Sequence, residues 1–329
     1  MALQQGTQLL QQIQSQPEEL HRLLTAPGTT AQIHAAAEGL HRVRRIWVVG
    51  TGSSQHAAAL GAAMLQDAGR SAHAVSSMQF VRNAPIVGPG DGVVIITHTG
   101  ETSYALSARA LAFGAGMQTF TVCRRGLPLN DIVETVEKEA SETYTSSYTA
   151  ALFVMARIAS AMGADTLTED TLAAVPEAVA AALAAPGVDA VPVPGRALVV
   201  IGAGPASITA AEGSLKSREA ARMLTIGYDA EYFLHGSAVP LTAQDHLIAL
   251  HPPDDDGLVE ALARTAEGEG IGVTRLVEQA ALPTLLAQIP MTVRLQLLAA
   301  RFAQARGQDP DTVITGGWAE PSLWAIGGP

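Results

Sequence analysis

The sequence predicts an α/β protein built from two copies of one strand-loop-helix design, each around a parallel sheet. Three observations predict it. The run Val93, Val94, Ile95 and Ile96, inside DGVVIITHTGET, is apolar on both faces, as a strand of a parallel sheet buried between helices must be. The order strand, small-residue loop, helix recurs at IWVVGTGSSQH and again at ALVVIGAGPAS. Finally, 329 residues with 48% apolar, 16% charged and only 4% aromatic side chains supply two ordinary cores in which helices pack closely on sheets.

The elements follow in chain order. Residues 6–25 carry apolar positions at helical spacing, and Pro17 is expected to divide them into two shorter helices. Thr29 or Thr30 is expected to cap a helix to about His41, ahead of a buried strand Ile46 to Gly50 and a helix from Gln55 to about Ala68. Ala72 to Ser76 is a weaker strand. The strand at Val93 leads into a helix ending near Phe113, then a strand Thr119 to Cys123, a short helix near Asn130 to Glu137 and an apolar helix from Ala150. An alanine-rich helix, Thr171 to Ala184, runs into PGVDAVPVPG, whose turn residues mark the boundary between halves. The pattern then restarts with a strand Ala197 to Gly202, a helix Ala206 to about Met223, strands at His246 to His251 and Ile271 to Leu276, and a final helix Thr292 to Gln304.

Net charge of −11 and an isoelectric point near 5.2 leave no electrostatic footprint for nucleic acid, and Arg42, Arg44 and Arg45 read as a solvated helix end. The single cysteine, Cys123, excludes an internal disulfide and reads as a packed core thiol. No signal-peptide pattern and no uninterrupted apolar run of membrane length stands in the sequence, so a cytoplasmic location with no membrane partner is expected. The nine histidines show no paired ligand spacing, so neither metal nor organic cofactor is expected.

Two loops carry candidate chemistry. Thr97, Thr99 and Thr102 surround Gly100 between a strand and a helix, and the free amides of that helix's first turn point back at the loop, so a phosphate could sit there without any lysine. A polar turn whose threonines merely cap the helix explains the same residues equally well. Thr51-Gly52-Ser53-Ser54 repeats the arrangement. The hydroxyl-dense EASETYTSSYT, 139–149, is either another ligand-facing helix start or a surface loop with capping serines. GAGP at 202–205 lacks the third glycine of a dinucleotide fingerprint.

Together, VVGTGSSQHAAA, IITHTGET and ETYTSSYTAAL resemble the sugar isomerase (SIS) family, and their paired arrangement resembles the isomerase half of glucosamine-6-phosphate synthase. The resemblance implies two SIS domains, each a three-layer αβα sandwich of flavodoxin or Rossmann type. The expected division is a helical arm over 1–30, a first domain over 31–186 and a second over 187–329. It also implies that Ser53, Ser54, Thr97, His98, Thr99 and Thr102 hold the phosphate of a sugar phosphate, with His98 standing where the family has glutamine. EGSLKSREAARM resembles the family's EGALKLKE helix, which makes Glu219 the acid that moves a proton between C1 and C2. EYFLHGS resembles the family's HGP stretch and places His235 at the ring-opening position. Aldose and ketose interconvert through an enediol or enolamine, which needs one base over two adjacent carbons, a task for a carboxylate of raised pKa. Glu212 and Lys216, four apart on that helix, read as a supporting ion pair.

Two departures stand against full conservation of the chemistry. Laying Asp309-Pro310-Asp311 on the family's DVDQPRNLAK tail puts Trp318 where a lysine would be, and no lysine follows Lys216. Ser237 replaces the proline of HGP. The expectation is therefore a phosphosugar isomerase or deaminase acting on an amino- or keto-hexose phosphate. Alternatives are a fructosamine-phosphate deglycase or a non-catalytic phosphosugar sensor. The resemblance also implies a homodimer with shared sites.

Overall fold

The computed structural model describes residues 7–83, 86–254 and 256–328. The chain starts with α1 (Gln8–Thr25) and α2 (Pro27–His41), followed by β1 (Arg45–Gly50), α3 (Ser53–Asp67), β2 (Ala72–Ser76), α4 (Ser77–Arg82) and β3 (Asp91–Ile96). Next come α5 (Ser103–Gly114), β4 (Gln118–Cys123), β5 (Ile132–Glu134), α6 (Ser146–Ala161), α7 (Glu169–Ala173) and α8 (Val175–Ala184). The pattern renews with β6 (Leu198–Gly202), α9 (Pro205–Ala221), β7 (Thr225–Asp229) and α10 (Ala230–Tyr232), which runs into a π turn, Phe233–Ser237. It finishes with β8 (His246–His251), α11 (Leu258–Gly268), β9 (Gly272–Val277), α12 (Thr284–Ala305) and α13 (Pro321–Ala325). Among the described residues no helix is long and apolar enough to cross a membrane.

The described residues fall into two compact units. One gathers the described residues of 16–139, 146–176 and 314–328; the other gathers those of 7–15, 140–145 and 177–313. In the first, five strands lie parallel in the order β2-β1-β3-β4-β5. Val49, Val93 and Ile95 meet Phe80 of α4 and Ala105, Ala108 and Ala112 of α5 on one face, while α3 lies against β1 and β2 and carries α6 on its back. The helices approach closely because small residues line the contact: a Cβ on Gly61 of α3 would stand 3.0 Å from Met155 of α6. This is a three-layer αβα sandwich.

The second unit repeats the plan. Its strands run parallel in the order β7-β6-β8-β9, with Val199, Ile201, Leu247 and Ala249 packed on Phe233, Val259 and Leu262. Helix α9 lies along β6 and β7 and carries α12, with Gly213 pressed against Leu295 at 2.4 Å from where its Cβ would be. Even the strand entries match. Asp91 accepts from the Gly88 amide and pairs with Arg44 and Arg45; Asp245 accepts from the Thr242 amide and pairs with Arg196. Both aspartate side chains are fully buried.

Several expectations are corrected. Helix α1 continues through Pro17, because burial of Leu9, Ile13, Leu20 and Leu23 along one stripe outweighs the one hydrogen bond that proline forfeits. Helix α2 starts at Pro27 with Ala26 as its cap, so neither Thr29 nor Thr30 opens it. Ile132–Glu134 is an edge strand rather than a helix, pairing Ile132 and Val133 with Thr121 and Val122. The alanine-rich helix is broken at Ala174, since Pro176 disfavours continuous helix through the residues before it. Helix α12 begins eight residues earlier than expected and runs through Pro290, among buried Leu286, Ile289 and Val293. Arg42 ends α2 with an exposed side chain, as expected of a solvated helix end, whereas Arg44, also exposed, and Arg45 pair with Asp91 at the entry of β3. Cys123 is buried, and burial first, then Asp131, pushes its thiol up to about 12, as a core thiol requires.

Candidate functional site

A parallel sheet of order 2-1-3 has a switch point between β1 and β3, where successive helices leave in opposite directions and the loops splay apart to form a crevice. The two predicted hydroxyl loops sit there. Val49 stands opposite Ile95, so Thr51 to Ser54 and Thr97 to Thr102 leave neighbouring strand ends side by side.

The first loop turns on Gly52, with φ 57° and ψ −133°, a conformation closed to residues with side chains. Gly50 lets the helix return: a Cβ there would lie 2.2 Å from the Ser54 carbonyl. Ser53 and Ser54 thereby open α3, half-buried, with the Ser54 amide donating to Thr51 O and the Gln55 amide to Gly52 O. In the second loop Gly100 has φ 70°, Glu101 N donates to Thr99 Oγ1 at 3.2 Å, and Thr102 is the N-cap of α5 without using its hydroxyl as a cap. Thr97 is the most informative of the three threonines in this loop. Its amide donates to Val122 O, its side chain is 5% exposed, and its buried Oγ1 has no hydrogen-bond partner in the protein. A buried hydroxyl without a partner is costly unless a ligand satisfies it.

His98 is largely buried and engaged by the protein itself. Its Nε2 accepts from the Glu139 amide at 3.2 Å, and burial keeps the ring below the usual imidazole range, with Glu139 opposing. Because a backbone N–H can only donate, the proton of the neutral ring belongs on Nδ1. Glu139 passes the support on: its carboxylate accepts from the Ser146 and Ser147 amides at 3.2 and 2.8 Å and so caps α6. The hydroxyl-dense start of α6 is thus buried and carries an internal anion, which corrects the surface-loop reading.

In the second unit, the turn before α9 copies that before α3, with Gly204 at φ 53° and ψ −127° and a Cβ on Gly202 blocked by Ala206 at 2.5 Å. Toward the other end of α9, Lys216 is fully buried between two carboxylates, 2.5 Å from Glu219 Oε2 and 3.6 Å from Glu212 Oε1. The supporting ion pair read from spacing is therefore a three-membered cluster that includes the candidate base. Burial raises the Glu219 pKa, and Lys216 pulls against it. Lys216 was legible only as the i+4 partner of Glu212; its hold on Glu219 needed the rotamers.

His235 stands in the π turn, exposed, at φ −84° and ψ 47°, followed by Gly236 at φ 99°. Within the chain it is not brought to Glu219: the helix α9 ends before β7 begins, and His235 follows β7, so the two lie at opposite ends of that strand. Trp318 is exposed on the tail. Among the described residues no group of three or more His, Cys, Asp or Glu side chains could hold a metal ion.

Residues 39–156 match the family model described as SIS domain. The glutamine–fructose-6-phosphate aminotransferase (isomerizing) of Caulobacter vibrioides is 26% identical over 346 residues, covering 91% of this chain and 56% of its own length. That of Thermococcus kodakarensis is 27% identical, with 92% and 56% covered, so the chain spans about half the length of the curated relatives it matches. Among solved structures, tagatose-6-phosphate ketose/aldose isomerase from Escherichia coli superposes with a TM-score of 0.81 at 17% identity, covering 97% of this chain and 99% of that one. Glucosamine-6-phosphate deaminase from Thermotoga maritima gives 0.76 at 16% identity, covering 93% and 97%; both likenesses are of fold. The chain carries a SIS domain over residues 39–156, the stretch that holds both hydroxyl loops and the sheet that places them.

Proposed function

We propose that the protein binds a phosphorylated amino- or keto-hexose and acts on it through an enediol or enolamine, as an isomerase or deaminase of sugar phosphates. The observation that carries the binding half of this reading is Thr97, whose buried hydroxyl lacks a protein partner at the switch point between β1 and β3. Ser53, Ser54, Thr99 and Thr102 complete a cradle of hydroxyls and helix amides, and His98 braces it through Glu139. The names of the curated relatives and of the solved structures, all phosphosugar proteins, support the ligand class.

For the chemistry, Glu219 is the proton carrier and Lys216 its positioning partner. A carboxylate raised by burial is a better base than an ordinary one, and Lys216 keeps it in one rotamer. The shared strand order, the matching glycine turns and the matching aspartate entries support reading both halves as SIS domains, with the arm over 1–30 and domains over 31–186 and 187–329. Since His235 lies away from Glu219 in its own chain, ring opening in this reading uses His235 of the partner subunit in a homodimer. No cofactor enters the reaction.

The test is a panel of glucosamine 6-phosphate, fructosamine 6-phosphates and hexose phosphates, followed for ammonia, free amine and fructose 6-phosphate. Turnover that Glu219→Gln abolishes, with phosphosugar Kd unchanged within about twofold, supports the assignment, and a fully active Glu219→Gln overturns it. Release of an amine other than ammonia would select the deglycase. Saturable binding without turnover would select the sensor, the reading that Trp318 at the tail lysine's position favours.

A further inference from the structure

The unit that holds 7–15, 140–145 and 177–313 contains a cavity of about 290 Å³ that involves neither the hydroxyl loops nor the Glu219 cluster. Its apolar wall is formed by Leu10 of α1, Leu183 of α8, Val188 of the segment after α8, and Leu297 of α12. Asp189 and Arg301 line it as well and supply its charge. At roughly 30 Å³ per water, the space admits about ten water-sized groups, the low end of small-molecule sites.

The two charges are held in place without being joined. The Val191 amide closes a turn on the Val188 carbonyl at 3.2 Å, and Arg301 Nη2 donates to the Val191 carbonyl, so the turn that carries Asp189 is tied to α12. The Arg301 guanidinium also lies over the Phe302 ring, 4.9 Å from its centroid, which restrains its plane. Among the described residues, however, the Asp189 carboxylate makes no hydrogen bond or ion pair, and the half-buried Arg301 has no carboxylate partner and a buried Nε without an acceptor. Burial lowers the Arg301 pKa, and Asp189 opposes that from a distance. A part-buried guanidinium ordinarily takes a carboxylate on its planar edge, and no described side chain does so here.

We propose that this cavity binds an α-amino acid with an apolar side chain, its carboxylate on Arg301, its ammonium on Asp189 and its side chain among Leu10, Leu183 and Leu297. The pair of charges selects this class. A lone carboxylate would meet Asp189 as a like charge and a lone amine would meet Arg301 as one, whereas a zwitterion meets each with the opposite sign. Leucine has about as many non-hydrogen atoms as the cavity admits water-sized groups. The site lies in the unit that carries no hydroxyl loop, and its occupancy is independent of the phosphosugar reading.

The test is calorimetric titration of the full chain with leucine and three analogues. Isocaproate lacks the ammonium, isoamylamine lacks the carboxylate and glycine lacks the apolar side chain. Leucine is expected to bind saturably with a Kd below about 1 mM, and each analogue at least about tenfold more weakly, the worth of one charge-assisted hydrogen bond or one buried side chain. Asp189→Asn, at an exposed residue without a side-chain partner, should weaken leucine at least about tenfold and should not weaken isocaproate. Equal affinity for leucine and any of the three analogues overturns the proposal. So does an Asp189→Asn chain that binds leucine unchanged, or a failure of leucine to bind up to about 10 mM.

Discussion

The strand ends after β3 and after β8 occupy equivalent places in two sheets of the same order, yet they carry opposite chemistry. After β3 the chain reads Thr-His-Thr-Gly-Glu-Thr, rich in hydroxyls; after β8 it reads Pro-Pro-Asp-Asp-Asp-Gly, rich in carboxylates. The turns before α3 and α9 agree within a few degrees, and each is guarded by a glycine against which a neighbouring backbone packs. The scaffold is common to both halves, while the decoration decides what each half can do. In the proposed reading the hydroxyl loop of the first half takes the anion, while the second half supplies the Glu212, Lys216 and Glu219 cluster of α9.

The comparison breaks most visibly at Glu219. Glu219→Gln is expected to lower kcat by about a thousandfold, the usual worth of a general base, and steady-state kinetics on the panel above measure it. Since the carboxyl is raised by burial, the acid limb of kcat/KM should fall above the ordinary glutamate range. Activity should be lost as pH drops through that raised value, because the base is then protonated.

Loss of one partner in the buried cluster comes next. Lys216→Met removes the buried cation from between Glu212 and Glu219 and should cost about 3–5 kcal/mol in urea unfolding. The glycine guards give the symmetric test. Gly50→Ala and Gly202→Ala each place a Cβ 2.2 to 2.5 Å from backbone and should each destabilise by more than about 2 kcal/mol. Phosphosugar binding in the folded fraction should suffer with Gly50→Ala alone. Equal loss of binding from both would erase the division of labour.

A smaller effect sharpens the shared entry. Burial alone would raise Asp91, but Arg45, Arg44 and the Gly88 amide hold it below the usual carboxylate range. A depressed folded pKa stabilises above the unfolded value of about 3.9 and loses that contribution as pH falls through the folded value. Asp91→Asn should therefore cost about 2 kcal/mol at neutral pH and flatten the acid limb of the unfolding curve below about pH 4, as circular dichroism can follow.

The smallest and most diagnostic change is Thr97→Val. It should weaken phosphosugar binding about tenfold while leaving stability unchanged or slightly raised, since it removes a buried hydroxyl that the protein does not satisfy. A loss of stability with no loss of affinity would show a structural threonine.

Much of this was legible in the residues themselves. Apolar runs such as Val93 to Ile96, glycine placed between a strand and hydroxyls, and the i+4 spacing of Glu212 and Lys216 are local signals, and local backbone preferences read them. The two glycine-hydroxyl loops, Thr51 to Ser54 and Thr97 to Thr102, follow, because glycine, hydroxyl and helix start are neighbours in sequence. Proline misled wherever burial outweighed it, at Pro17 and Pro290, since the cost of one hydrogen bond is local and the gain from an apolar stripe is not. What only the tertiary structure decided depends on residues far apart in the chain. Parallel pairing made Ile132 to Glu134 an edge strand, Asp91 recruited Arg44 and Arg45, and His98 turned from the loop to brace Glu139. Ser103 and Ser107 took up a tail more than two hundred residues away. Such contacts are fixed by where the sheet places each strand end, and no window of sequence contains that information.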